Sequence, residues 1–244
     1  MPRRQNTYNT FAREYAALVA AREAAGIEAD PIMPRLLAEI GPVEGLRALD
    51  AGCGEGYLSR ILAARGAQVM GADVAPALIE LARAQDPAGA ITWRVSDLSQ
   101  PAPDVEGQFD LAASHMVIND VPDHRGFLRT VATALKPGGR YVFSMNSPYS
   151  YVVRGHIHDY FSGEEMVSYR GMAEEGVKVY FFQRTLEEYV DACLAAGFEL
   201  RRLVDVPTPE GSFKRRRDTL IPTGYHFPFF MILSLRRASE PLIV

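Results

Sequence analysis

A glycine-rich stretch near residue 50 constrains the fold of this 244-residue chain more than any other feature. Leu49-Asp50-Ala51-Gly52-Cys53-Gly54-Glu55-Gly56 follows a short apolar segment and precedes a helical one. Glycines at this spacing allow a tight turn, let a ligand approach the backbone and let a strand pack closely on a helix. The stretch therefore predicts a strand–turn–helix unit with a ligand at its turn.

Short apolar strands alternate with helices of 8 to 13 residues along most of the chain. This alternation predicts an α/β fold, a doubly wound and mostly parallel sheet covered on both faces. Strands are predicted at 46–51, 68–73, 91–95, 109–114, 140–145, 198–206 and 227–235. Helices are predicted at 7–25, from Pro31 behind an Asp30 cap to about residue 40, at 57–65, from Pro76, at 123–135, and from a Thr185 capping box to Gly197.

An acidic residue at the end of the second strand indicates what the turn binds. Asp73 lies 21 residues after Gly52, where a carboxylate can accept both hydroxyls of a ribose. A nicotinamide dinucleotide would need a third glycine where this chain has Tyr57, and a pyrophosphate would be repelled by Asp50 and Glu55. These two acids instead suit a nucleoside ligand with a cationic end, such as S-adenosylmethionine.

The ordered motifs resemble those of the class I S-adenosylmethionine-dependent methyltransferases. They are Asp50-x-Gly52-x-Gly54-x-Gly56 with Asp73, then Val95-Ser96-Asp97-Leu98, Phe109-Asp110-Leu111, Ser114-His115-Met116-Val117-Ile118 with Val121-Pro122-Asp123, and Leu135-Lys136-Pro137-Gly138-Gly139. The resemblance implies a Rossmann-like sheet of seven strands, with the last strand antiparallel between strands five and six. It also implies one methyltransferase domain over 1–244, with N-terminal helices at 1–45 and an inserted lid at 147–184.

The resemblance implies a set of residues that bind S-adenosylmethionine and its product S-adenosylhomocysteine. Asp50 is expected at the methionine ammonium, Asp73 at the ribose and Asp97 at the adenine amino group. Val74 and Leu98 would flank the adenine, and Tyr8 and Tyr15 share one helix face that would close over the cofactor. The remaining predicted cofactor-binding residues are Gly52, Cys53 as a small space-filling residue, Gly54 and Ser114.

The methyl acceptor is expected to bind beneath the inserted segment. Residues 147–184 hold 8 of the chain's 24 aromatic residues, which favours an apolar or aromatic acceptor. His115 follows the fourth strand, at the edge where ligands bind in such sheets, and is the candidate general base or a wall of the acceptor site. The other candidate acceptor contacts are Tyr149, His156, His158, Tyr160 and Phe181. No metal is expected, because His156-Ile157-His158-Asp159 alone is weak as a metal motif.

Composition limits the class of partner and the location. The net charge of −4 argues against a nucleic-acid partner, and no apolar run approaches the length of a membrane span. The expectation is a cytoplasmic monomer or homodimer acting on a small molecule, with Lys214–Arg217 as a solvated loop. Three alternatives stay open: a nicotinamide-dependent oxidoreductase, a methyltransferase acting on tRNA or protein, and a protein that binds the nucleoside without catalysis.

Overall fold

Seven strands form one central sheet in the computed structural model, which describes residues 7–153, 157, 159–161, 166–169, 179–207 and 227–239. The strands are β1 (Arg47–Ala51), β2 (Gln68–Asp73), β3 (Thr92–Val95), β4 (Phe109–His115), β5 (Leu135–Asn146), β8 (Phe198–Pro207) and β9 (Pro228–Arg237). Their spatial order is β3-β2-β1-β4-β5-β9-β8, with β1 to β5 parallel and β9 antiparallel to both neighbours. The predicted seven-stranded, doubly wound α/β fold is confirmed.

Seven α-helices are described, and the larger ones cover both faces of the sheet. They are α1 (Ala12–Ala25), α2 (Met33–Ile40), α3 (Tyr57–Ala64), α4 (Pro76–Ala84), α5 (His124–Ala134), α6 (Pro148–Val153) and α7 (Leu186–Ala195). One apolar core joins α5 and α7 to the sheet, through side chains such as Phe127 and Tyr189. A second core, with Leu36 and Leu58, joins α2 and α3 to the other face.

Most helices begin within about two residues of their predicted starts, but α1 begins at Ala12 and not at residue 7, because Thr7–Thr10 form a separate N-terminal 3-10 turn. Thr185 and Glu188 form the expected capping box of α7, and the Asp123 carboxylate accepts the Gly126 N–H at the start of α5. The predicted start of α2 at Pro31 is wrong, since α2 begins at Met33. The Asp30 carboxylate accepts the N–H groups of Ile32 and Met33, so the turn around Pro31 is a cap that precedes the helix.

The segment between β5 and α7 packs on the N-terminal turn of the chain. Its backbone includes α6 and a hairpin of β6 (Met166–Tyr169) with β7 (Val179–Phe182). Phe11, Tyr151, Ile157 and Phe181 are buried together, with Tyr8 and Tyr15 against them. The described part of this segment and the start of α1 therefore meet in one apolar cluster.

Candidate active site

The principal cleft opens at the carboxyl ends of the parallel strands, where ligands bind in open α/β sheets. It has a volume of about 750 Å³. One part is formed by the glycine-rich turn after β1 and by Tyr15 of α1. The other is formed by the ends of β4, β5 and β7 and the start of β9, which contribute His115, Met116, Asp120, Asn146, Phe181, Phe229 and Phe230.

The glycine-rich turn presents backbone to the cleft. Gly52, Gly54 and Gly56 all have positive φ. The Gly52 and Cys53 N–H groups bond the Ala72 carbonyl at 2.8 and 3.0 Å, which fastens the turn to β2. A side chain on Gly54 would stand 3.6 Å from the Tyr15 ring, so the glycine leaves a narrow slot between turn and helix. This slot suits a ligand that lies against main chain.

The Asp50 carboxyl is buried, and it forms no ion pair with a cation among the described residues. One of its oxygens accepts the Ser59 hydroxyl at 2.6 Å. Burial is the main cause that raises the pKa of this carboxyl to about 7; the hydrogen bond from Ser59 opposes this rise, and the nearby acids Asp73 and Glu55 add to it. A cation entering the cleft would favour the ionised form, so the site fits the ammonium group of S-adenosylmethionine.

The second acid of the turn has an internal role. Glu55 is 2% exposed, and its carboxylate accepts Arg60 at 2.9 Å, Gln85 at 3.1 Å and the Tyr57 N–H at 3.1 Å. The sequence analysis predicted that the carboxylates of Glu55 and Asp50 both suit a cationic ligand. In the structure the two acids have different roles, because Arg60 pairs with Glu55 and neutralises its charge, whereas no described cation pairs with Asp50.

Asp73 holds the turn as well as facing the expected ribose position. Its two carboxylate oxygens accept the N–H groups of Gly54 and Ala75, each at 2.9 Å. Burial raises its pKa, and these backbone bonds oppose the rise. Each oxygen keeps a second lone pair for a hydroxyl. Asp73 therefore has a structural role in the turn in addition to its predicted role at the ribose.

The residues predicted around the adenine do not line this cleft. Val74 and Asp97 are exposed, the Asp97 carboxylate accepts the Ser99 N–H, and Leu98 is buried in the core. The N-terminal 3-10 turn (Thr7–Thr10) contacts the start of α4, where the Asn9 side-chain oxygen accepts the Ala77 N–H at 3.2 Å. Cofactor contacts at these positions stay predictions.

Other predicted site residues have partners in the protein itself. Ser114 donates its hydroxyl to the Ala51 carbonyl at 2.7 Å and accepts from Tyr141 inside the sheet. Tyr149 stacks on Tyr160, whose hydroxyl accepts the Leu186 N–H at 2.8 Å, and neither lines the cleft. His156, His158 and the Lys214–Arg217 run lie outside the described residues.

The cleft does bring together a subset of the predicted residues. Its lining includes Tyr8, Tyr15, Asp50, Gly52, Cys53, Gly54, His115 and Phe181. Sequence reasoning missed Asp120, Phe229 and Phe230. The signal for Asp120 was its place directly before Val121-Pro122-Asp123. Phe229 and Phe230 gave no such signal, because the strand that carries them is remote in sequence from the turn.

His115 is held as a neutral imidazole. Its Nδ1 lies 2.9 Å from the Ser144 hydroxyl oxygen. Burial lowers its pKa to about 4, with Arg22 adding to the effect and Asp30 opposing it. The ring therefore offers one free nitrogen and little basicity near neutral pH.

A second cavity, of about 590 Å³, lies at the opposite end of the sheet. Its charged lining is paired: Lys136 with Asp110 at 2.6 Å, and Arg140 with the Ile40 carbonyl at 2.7 Å. Among the described residues, no group of three or more His, Cys, Asp or Glu is arranged to hold a metal. No helix in the described part of the chain is long and apolar enough to cross a membrane.

The buried Asp50 carboxyl makes a prediction about stability. A raised pKa in the folded state stabilises the fold at low pH, and this contribution is lost as pH rises from about 4 through 7. Asp50→Asn is expected to raise the melting temperature at pH 8 by roughly 3–6 °C, and to have little effect at pH 4. The same variant should bind S-adenosylmethionine more weakly. Calorimetry at both pH values checks this, and an equal melting temperature at pH 8 would contradict it.

Comparison with known proteins identifies the domain. Residues 49–143 match the model of a methyltransferase domain. Ubiquinone biosynthesis O-methyltransferases of Xanthomonas euvesicatoria and Xanthomonas campestris are 37% identical over 102 residues and 38% identical over 97 residues. These matches cover 41% and 39% of this chain and 43% and 41% of the relatives, so the similarity spans less than half of either curated protein.

Solved structures extend the similarity to most of the chain. An S-adenosylmethionine-dependent methyltransferase from Mesorhizobium loti has a TM-score of 0.69 and 28% identity, over 87% of this chain and 100% of that chain. A methyltransferase from Methanosarcina mazei, with a TM-score of 0.63, 22% identity and coverage of 86% and 99%, supports the fold alone. The chain therefore contains a methyltransferase domain at residues 49–143, and its fold and sequence are similar to those of S-adenosylmethionine-dependent methyltransferases, which implies S-adenosylmethionine as the cofactor.

Proposed function

We propose that the chain transfers a methyl group from S-adenosylmethionine to a small, partly apolar or aromatic molecule. The observation that carries this proposal is the continuity of the cleft. One space joins the glycine-rich turn and Asp50 to an aromatic wall of Phe181, Phe229 and Phe230. A cofactor on the turn would thus share an enclosed site with an apolar acceptor.

The chain's contribution is positioning and exclusion of water. When bound, S-adenosylmethionine supplies a methyl group that its positive sulfur has already activated. Asp50 offers a buried anion for the ammonium end, and Gly54 offers open backbone beside it. The aromatic wall holds the acceptor in a site with little water. Alignment of this kind provides much of the acceleration of a bimolecular transfer.

Oxygen is the acceptor atom that we favour. The curated relatives in Xanthomonas are named O-methyltransferases, although the match spans less than half of their length. The assay with labelled donor described below also distinguishes methyl transfer to nitrogen, to carbon, and to tRNA or protein. The net charge of −4 argues against tRNA. We also keep as proposals the role of residues 147–184 as a lid, the cytoplasmic location and the small-molecule partner.

Titration calorimetry with S-adenosylmethionine tests the cofactor half of the proposal. Wild type should bind, and Asp73→Ala should bind at least about tenfold more weakly, because it removes a ribose acceptor and frees the Gly54 N–H. Asp205→Ala, an exposed acid far along the sheet on β8, is the control and should bind like wild type. No binding by wild type, or unchanged binding by Asp73→Ala, would overturn the proposal.

Incubation of a metabolite extract with labelled donor tests the acceptor half. Label should enter a small, extractable product, and mass spectrometry of that product identifies the methylated atom. Label that stays with tRNA or protein would instead assign a macromolecular acceptor. Binding without transfer to any fraction would assign a nucleoside-binding protein.

A further inference from the structure

Asp120 stands in the cleft with a role that neither the motifs nor the relatives assign. It closes a short 3-10 turn, Ile118–Asp120, directly after β4. It lines the same space as His115, Asn146 and Phe230. This places a carboxyl group in the cleft that also holds the aromatic wall.

The two oxygens of this carboxyl have different surroundings. Oδ2 accepts the Tyr8 hydroxyl at 2.6 Å, across 112 positions of sequence. Oδ1 is buried and has no hydrogen-bond partner among the described residues. A buried acceptor without a donor costs about 1–3 kcal/mol. The geometry therefore leaves one oxygen without a donor from the described residues, in a side chain that lines the cleft.

His115 is the less suitable proton acceptor of the two. The Ser144 hydroxyl occupies its Nδ1, and burial lowers its pKa to about 4. A base this weak takes up a proton poorly near pH 7. His115 is better placed as a wall of the site than as its base, which differs from its predicted role as a catalytic residue.

We propose that Asp120 Oδ1 is the general base for a hydroxyl acceptor, with the Tyr8 hydroxyl holding Oδ2 in place. The inference rests on the proposed function and deepens it. The acceptor oxygen forms a bond to the methyl carbon while the methyl–sulfur bond breaks and its electron pair stays on sulfur. The acceptor's proton passes to Asp120 Oδ1, and solvent removes it after product release. Tyr8 is a positioning residue in this arrangement.

The electrostatic surroundings suit this role. Burial is the main cause that raises the Asp120 pKa to about 7; the Tyr8 hydrogen bond opposes this rise and the charge of Asp73 adds to it. A base with a pKa close to the working pH is largely in its deprotonated form and still has enough basicity to drive proton transfer. In the described part of the chain, the ionisable groups that interact with Asp120 or contact its turn are Tyr8, Tyr15, Asp73, Tyr189 and Arg184. Of these, Arg184 is the cation, and it bonds carbonyls of the turn, not the carboxylate.

The first test is methyl transfer to phenol, catechol and 2-naphthol with labelled S-adenosylmethionine. Wild type should methylate at least one of these phenols, with a rate that rises with pH through about 7. Asp120→Asn keeps an oxygen for Tyr8 but cannot take a proton, so kcat should fall about 100-fold or more and the pH dependence near 7 should vanish. Asp205→Asn, the same exchange on exposed β8, should match wild type.

The second test needs no turnover. In the protein without cofactor, carbon-13 NMR of labelled aspartates should show a carboxyl that titrates near pH 7, is lost in Asp120→Asn and persists in Asp50→Asn. Tyr8→Phe should move this titration to higher pH, because it removes the hydrogen bond that favours the ionised form.

The outcomes separate the inference from the function on which it rests. Failure to bind S-adenosylmethionine overturns the proposed function. Binding without methylation of any of the three phenols overturns the hydroxyl acceptor. Wild-type kcat in Asp120→Asn, or loss of the pH dependence in His115→Asn with Asp120 intact, overturns the assignment of Asp120 as the base.

Discussion

Gly52→Ala is expected to abolish most cofactor binding and to destabilise the fold. Gly52 has φ of +82°, and an added Cβ would stand 2.5 Å from Val117 Cγ1 and 2.6 Å from Val117 Cγ2. The backbone conformation costs a residue with a side chain about 1–2 kcal/mol, and overpacking adds about 1–3 kcal/mol. The turn must then move away from the loop after β4. We expect at least about thirtyfold weaker binding of S-adenosylmethionine, which corresponds to about 2 kcal/mol.

Gly45→Ala is the matched control for this variant. Gly45 has φ of +74° with nothing within 4 Å of an added Cβ, so it carries the backbone cost without the collision. It should lose about 1–2 kcal/mol of unfolding free energy and bind the cofactor normally. Urea unfolding and calorimetry measure both quantities. Val117→Ala should restore part of the stability of Gly52→Ala, and a strictly additive double variant would count against the collision.

Arg184→Met is expected to destabilise the chain by about 3–5 kcal/mol. Arg184 is 2% exposed, and its guanidinium donates to the carbonyls of Val121 at 2.8 Å and Pro122 at 2.9 Å, with a longer contact of 3.4 Å to Ile118. It also lies over the rings of Phe182 and Tyr189. Methionine fills similar space but leaves these carbonyls without a donor. Because the turn that they belong to carries Asp120, kcat should fall as well.

Arg201→Met on β8 is the control for the buried arginine. The Arg201 side chain is 60% exposed and meets Glu199 at 3.5 Å, so its loss should cost less than about 1 kcal/mol. Urea denaturation of both variants gives the comparison. Arg184→Lys should recover part of the stability, because an ammonium retains the charge but not the planar fork. Equal unfolding free energies for Arg184→Met and wild type would show that the carbonyl contacts contribute nothing.

Local signals determined much of the fold. The alternation of short apolar segments with helical ones predicted every strand of the central sheet, and most strand ends to within about two residues. The exception is the start of β5, which begins at Leu135, five residues before its predicted start. The Thr185 capping box and the Asp123 cap depend on neighbours three residues away, so sequence sufficed to find them. The start of α2 was misplaced because Asp30 and Pro31 fit a helix start as well as a turn before one. The choice depended on which N–H groups the Asp30 carboxylate accepts.

The site was predicted in part, for a related reason. Asp50, Gly52 and Gly54 are close in sequence and belong to one turn, so their shared place in the cleft followed from the motif. Val74, Asp97 and Leu98 carry roles implied by the family resemblance, yet they are not among the residues that line the cleft. Ser114 has an internal partner in the Ala51 carbonyl, which sequence alone does not reveal.

The sequence by itself determined the α/β class, the glycine-rich turn and the acids around it, because these depend on periodicity and on contacts between near neighbours. Tertiary structure alone decided which acid is paired and which is not: Glu55 meets Arg60, while Asp50 stays unpaired by any described cation. It also decided that Tyr8 and Asp120 meet across 112 positions and that β9 brings Phe230 into the cleft that they line. Such contacts depend on how distant strands and helices pack, and the free energy of that packing is shared among many residues that no short motif contains.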